Sequence, residues 1–202
     1  MKKLMFSMFL GVLLLLPAAS AGTLALDLTG GTVQTNGNWS LGWQFTVNSP
    51  IPVNGLAFYD NTDDESHLVG IYNDATQALL VSTTVLTTDP DMGTAPWRVD
   101  SITPYVLGVG TYDIMAVTGD DNYTYGPTPL TTIPQITYVQ SEYYGPASGV
   151  LAFPNTTDTE DGWFGPSFTV ETGTPEPASV LMIGGGLLLA AGLRLRRHAR
   201  AR

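Results

Sequence analysis

The residues most able to do chemistry in this chain are carboxylates. Asp60, Asn61, Asp63, Asp64 and Glu65 crowd hard oxygens into one short stretch. Calcium takes six to eight such ligands, so Asp60, Asp63, Asp64 and Glu65 form a candidate calcium loop and calcium is the one candidate cofactor. The spacing does not match an EF-hand, and a solvated loop tip is the alternative reading of the same residues. Asp120, Asp121 and Asn122, and further on Asp158, Glu160 and Asp161, make two weaker clusters. Two such loops meeting at one end of a β-domain would complete a site.

Other chemistry is poorly served. His67 is the one histidine between the two ends of the chain, so a Ser-His-Asp triad would have to use it. Its neighbour Ser66 would point to the opposite face of a strand, and no nucleophile-elbow motif appears. His67 is therefore expected at a turn or strand edge. Glycosidases need only two carboxylates a few ångströms apart, but nothing singles out a pair, and the chain is read as a non-enzyme. A periplasmic or extracellular glycan-active hydrolase remains the enzymatic alternative, and a calcium-stabilised structural module without a ligand of its own is the non-enzymatic one. Tyr123, Tyr125, Tyr143 and Tyr144, flanked by Gly, Pro, Asn and Glu, are candidates for stacking on sugar rings. Trp43, Phe45 and Phe58 read as core.

The elements that must position these groups are strands. Leu41, Trp43, Phe45 and Val47 alternate with Gly42, Gln44, Thr46 and Asn48, a period of two. Val53 to Tyr59, Leu68 to Tyr72 and Ala78 to Leu86 follow, the last two spaced as a hairpin. Further strands are expected over Trp97 to Ile102, Tyr105 to Val109, Tyr112 to Val117, Ile136 to Val139, Val150 to Phe153 and Ser167 to Val170. The run Gly162 to Phe168 suggests a closing strand with a glycine kink. Many short strands with Gly, Pro, Asn and Asp turns predict an all-β fold, an antiparallel β-sandwich of jelly-roll type.

The two ends of the chain read differently. Lys2 and Lys3, the apolar run Leu4 to Leu16, Pro17 and then Ala19-Ser20-Ala21 have the layout of a signal peptide over residues 1–21, cleaved after Ala21 by signal peptidase. At the other end, Pro175-Glu176-Pro177 precedes an uncharged apolar run from Ala178 to Leu193 and a tail carrying five arginines. Arg194, Arg196 and Arg197 fit the positive-inside rule for a short transmembrane helix over 178–193, with the preceding domain outside the inner membrane.

Between these ends, one arginine (Arg98) faces seventeen acids, leaving a formal charge of −16 on a stretch of about 150 residues. Such a surface repels nucleic acid, so no nucleic-acid partner is expected. Arg98 is expected to pair with Asp100 or Asp113. The absence of cysteine excludes disulfides, thiolate nucleophiles and Cys-ligated zinc.

The C-terminal combination at 174–202 (Pro175, Glu176, Pro177, the apolar run, the arginines) resembles the PEP-CTERM sorting signal of Gram-negative bacteria. The resemblance implies that the chain is a substrate of exosortase, a membrane-embedded cysteine transpeptidase. That enzyme would read the Pro-Glu-Pro box, remove the helix and pass the domain over 22–173 to the cell surface or to extracellular polysaccharide. The two prolines suit such a role, since they hold Glu176 extended and stop the helix from propagating outward. Leu41 to Val47, Val53 to Tyr59, His67 to Asn73 and Gly110 to Ile114 resemble, in order, a β-sandwich domain of unknown function found in exported bacterial proteins. That likeness implies a fold and transfers no catalytic residue.

Overall fold

Sixteen strands form four antiparallel sheets among the described residues. The computed structural model describes residues 22–28, 31–34, 37–59, 65–92, 97–119, 123–126, 130–158 and 162–171, with the backbone alone at Val33, Trp163 and Phe164. The expected signal peptide, Pro-Glu-Pro box, 178–193 helix and arginine tail lie outside the described residues.

In chain order the strands are β1 (Thr23–Leu24), β2 (Leu26–Leu28), β3 (Thr32–Gln34), β4 (Ser40–Val47), β5 (Ile51–Tyr59), β6 (His67–Asn73), β7 (Ala78–Val85) and β8 (Asp91–Met92). They continue with β9 (Trp97–Leu107), β10 (Gly110–Val117), β11 (Tyr123–Tyr125), β12 (Leu130–Thr132), β13 (Ile136–Tyr144), β14 (Thr156–Asp158), β15 (Trp163–Phe164) and β16 (Pro166–Val170). One main sheet runs β1-β16-β5-β9-β8 and the other β14-β13-β4-β10-β6-β7. Two small ribbons, β15-β11-β3 and β12-β2, complete the fold.

The two main sheets face each other across one core, which makes the domain a β-sandwich. The period-two pattern of β4 is the cause: Trp43, Phe45 and Val47 are fully buried, while Gln44 and Thr46 are half-buried on the other face. Phe168 of β16 answers from the opposite sheet, its ring centroid 5.1 Å from Phe45 and 6.2 Å from Trp43. Trp43 Nε1 donates to the Pro166 carbonyl at 2.8 Å, a buried hydrogen bond that ties one sheet to the other. Leu56, Phe58, Val69, Ile71 and Ile114 fill the rest of this layer.

The expected β6–β7 hairpin is present, with His67 opposite Val85 and Asn73 opposite Ala78. Several other expectations need correction. Trp97 to Ile102 and Tyr105 to Val109 are not two strands but the single strand β9. Pro104 is accommodated because the register against β5 shifts between Val53 and Gly55, where the proline's missing N–H breaks no ladder. Val150 to Phe153 is no strand. That segment carries no ladder bonds and instead crosses a sheet face. β13 runs on to Tyr144, and a bulge between Tyr138 and Gln140 turns Val139 out to solvent at 45% exposure. The expected glycine kink in the closing strand, which the Gly162 to Phe168 stretch left open between two glycines, falls at Gly165. A Cβ there would sit 2.5 Å from the Phe58 ring, so only glycine lets β15 and β16 pass that side chain.

Candidate functional site

The groups that converge in this structure belong to none of the sequence clusters. Outward-facing positions of β4, β10 and β13 bring Gln44, Asp113, Gln140 and Glu142 together, because Asp113 pairs with Gln44 and Gln140 pairs with Gln44 across the ladders. Asp74, just past the end of β6, joins them. Gln44 Nε2 lies 3.1 Å from Asp74 Oδ1, 3.2 Å from Asp113 Oδ1 and 3.5 Å from Glu142 Oε1. One amide nitrogen with two hydrogens thus serves three carboxylates. Gln140 Nε2 donates to the same Glu142 Oε1 at 2.9 Å.

This face is outside the sandwich core yet dry. Asp113 is 0% and Glu142 3% exposed. The cover is the segment that was expected to be a strand. Phe153 packs edge-on against Tyr72, the β6 residue opposite Asp113, at 5.8 Å. Leu151 lies so close to Gly70 that a Cβ there would meet it at 2.9 Å. Ser40 Oγ bonds both the N–H and the carbonyl of Ala152 at 3.4 Å, and Asn155 N–H donates to the Tyr143 carbonyl at 3.1 Å. The last corner is fixed by the Asn155 side chain, which brackets Gly145 through both its N–H and its carbonyl, beside the cis Gly145–Pro146 bond.

Burial is the largest influence on Asp113, and it raises the carboxyl because it penalises the charged form. The hydrogen bond and the charge of Glu142 raise it further, Gln44 lowers it, and the charge of Asp74 raises it again. The outcome is a carboxyl pushed up to about 8. Tyr72 is also raised, by burial. Asp113 Oδ2 and Glu142 Oε2 are buried oxygens that receive no donor.

The expected site residues fare unevenly. Asp60, Asp63 and Asp64 lie outside the described residues, as do Asp120, Asp121, Asn122, Glu160 and Asp161. Glu65 is half-buried just before β6 and Asp158 ends β14. Among the described residues no group of three or more His, Asp or Glu is placed to hold a metal ion. His67 is not at an exposed edge: it is 1% exposed, its ring stacked on Phe58 with centroids 3.7 Å apart, and Nδ1 donates to the Val117 carbonyl at 3.1 Å. Ser66 is exposed, as the strand alternation required. Arg98 pairs with Asp91 at 3.5 Å and donates to the Asp89 carbonyl at 2.7 Å, rather than with Asp100 or Asp113. Asp100 instead accepts the Thr83 hydroxyl.

The four tyrosines do not make one platform. Tyr123 is 3% exposed and belongs to the interior, which withdraws it as a stacking residue. Tyr125 is half-buried on the small ribbon, two residues along the same strand. Tyr143 and Tyr144 are adjacent in β13 and so point to opposite faces. Tyr143 meets Trp39 edge-on at 6.0 Å, both half-buried, at the end of the sandwich.

A scan against protein-family models finds no match, and a search of the curated proteins finds no significant match.

Proposed function

We propose that this chain is an exported precursor whose acidic β-sandwich is a non-catalytic component of the cell surface or extracellular matrix. Signal peptidase removes residues 1–21. The 178–193 helix then holds the precursor in the inner membrane, with the domain over 22–173 in the periplasm, until an exosortase acting at Pro175-Glu176-Pro177 releases it. The observation that carries this reading is the ordered series at the C-terminus, Pro-Glu-Pro box, uncharged run, arginines, behind a domain with a single cation. The basic tail serves topology and has no counterpart on the working surface. The commitment of His67 to the core, against Phe58 and the Val117 carbonyl, supports a non-catalytic role because it removes the domain's one imidazole from solvent.

In the finer architectural reading the strands wind as a jelly roll. Contact with extracellular polysaccharide falls to the half-buried aromatics that remain, Tyr125, Tyr144 and the Trp39–Tyr143 pair, whose faces and polar edges suit sugar rings. Fractionation of cells with and without the transpeptidase tests the reading. The expected result is a surface or matrix form in the first strain and a full-length inner-membrane form in the second. Full-length protein in the inner membrane of both strains would sink it.

A further inference from the structure

We propose that Asp113 and Glu142 share one proton, and that this proton latches the 150–155 segment onto the outer face of the β4–β10–β13 sheet. Two carboxyls removed from water side by side cannot both stay ionised without a compensating charge. No basic side chain supplies it: Arg98 is the domain's one Lys or Arg, and it is bonded to Asp91 and to the Asp89 carbonyl at the β8–β9 edge of the other sheet. His67 is inside the core. A cation fits poorly, since the carboxylates are not arranged as a metal-ligating group.

A proton fits well. The amides of Gln44 and Gln140 occupy Asp113 Oδ1 and Glu142 Oε1, which leaves Oδ2 and Oε2 as the buried oxygens without a donor. One proton held between the two carboxyls satisfies both and cancels one charge. The other groups facing the pair point the same way. Asp74 adds a third negative charge, Tyr72 is neutral and kept so by burial, and the covering residues Val150 to Asn155 bear no titratable side chain.

The sign of the pH effect follows. The Asp113 carboxyl stands at about 8 in the native protein and in the ordinary range, 3.8, when exposed. Between those values the native state binds a proton that the unfolded or locally opened state does not, so closure weakens steadily as pH rises and levels off above about 8. With the proton gone, two buried like charges repel. The cheapest relief is to admit water by lifting the 150–155 segment, which is held by the Ser40–Ala152 contact and the Asn155 bonds to Tyr143 and Gly145 and not by a continuous strand ladder. Lifting would uncover Tyr72, Met115, Leu151 and Phe153, an apolar strip on an otherwise acidic domain.

Hydrogen exchange on the full-length chain in mild detergent, followed by mass spectrometry and corrected for intrinsic rates, tests this. The open fraction of the 150–155 segment is expected to rise at least about tenfold between roughly pH 6 and pH 9. In Asp113→Asn the rise should vanish and protection at the higher pH should remain. Glu142→Gln is the second variant with the same expectation. If neither variant folds, a 13C titration of the wild-type Asp113 carboxyl decides: a midpoint well above the ordinary carboxyl range supports the latch, and an ordinary one overturns it. Exchange that ignores pH, or a rise that survives in both variants, also overturns it. Recovery of protection on adding calcium at the higher pH would assign the neutralising charge to a cation and defeat the proton.

Discussion

Gly42→Ala is expected to cost about 3–5 kcal/mol, enough to leave little folded domain. Gly42 lies in β4, the strand paired on both sides, opposite Met115 of β10 and Glu142 of β13. A Cβ at this position would stand 1.8 Å from the Ile114 carbonyl oxygen, and 2.8 Å from both its carbon and the Met115 sulfur. The sulfur can swing away, but the carbonyl is backbone in the adjoining strand. Room is gained only by prising β4 from β10, and close-packed interiors do not absorb such shifts cheaply. Gly108→Ala is the control, because its Cβ would find nothing nearer than the Tyr112 hydroxyl at 4.0 Å. Denaturant titration of both variants measures the difference. A Gly42→Ala midpoint close to that of Gly108→Ala would contradict the strand packing described here.

The second large effect is expected from Trp43→Ala, at about 3–5 kcal/mol. Trp43 is fully buried and touches both sheets: Phe45 and Tyr138 at 5.0 and 6.3 Å on its own side, Phe168 at 6.2 Å and the Pro166 carbonyl on the other. Truncation removes the ring and leaves a cavity between the layers. Trp43→Phe separates the two contributions. It restores much of the packing but leaves the Pro166 carbonyl without its buried donor, a loss of about 1–3 kcal/mol. Calorimetry of the two variants should therefore rank them, alanine well below phenylalanine and both below wild type. Equal losses would mean that the hydrogen bond, not the ring, holds the sheets together.

How much of this could be read beforehand depends on what each element needs from its neighbours. Long strands buried on one face announce themselves, and Leu41 to Val47 is the clearest because its alternation is uninterrupted. The β6–β7 hairpin is similar, its turn marked by Asn73-Asp74-Ala75-Thr76. The two- and three-residue strands of the small ribbons carry no period long enough to see, and their pairing is decided by the sandwich they pack on. Pro104 misled because it signals a break, whereas a register shift in the partner strand absorbs it. Val150 to Phe153 misled in the opposite sense. Its apolar residues serve to cover a face, and covering needs no ladder.

The carboxyl pair escaped for a related reason. Asp113 and Glu142 are far apart in sequence, and neither belongs to a cluster. One clue was present: Asp113 and Met115 occupy the same face of an otherwise apolar strand. A methionine on that face asks for a cover, and a cover over Asp113 asks for a neutralising partner. The acidic loops drew attention instead because their residues are adjacent, and adjacency is a weaker guide than shared strand register.

If, as proposed, the acidic sandwich is the mature product and both ends of the chain are addresses, intact-mass analysis of the protein recovered from the cell surface or matrix will show it. The predicted mass corresponds to a chain that begins at Gly22 and ends at or beside the Pro175–Pro177 box, without residues 178–202. A recovered form that still carries residues 178–202 would contradict it.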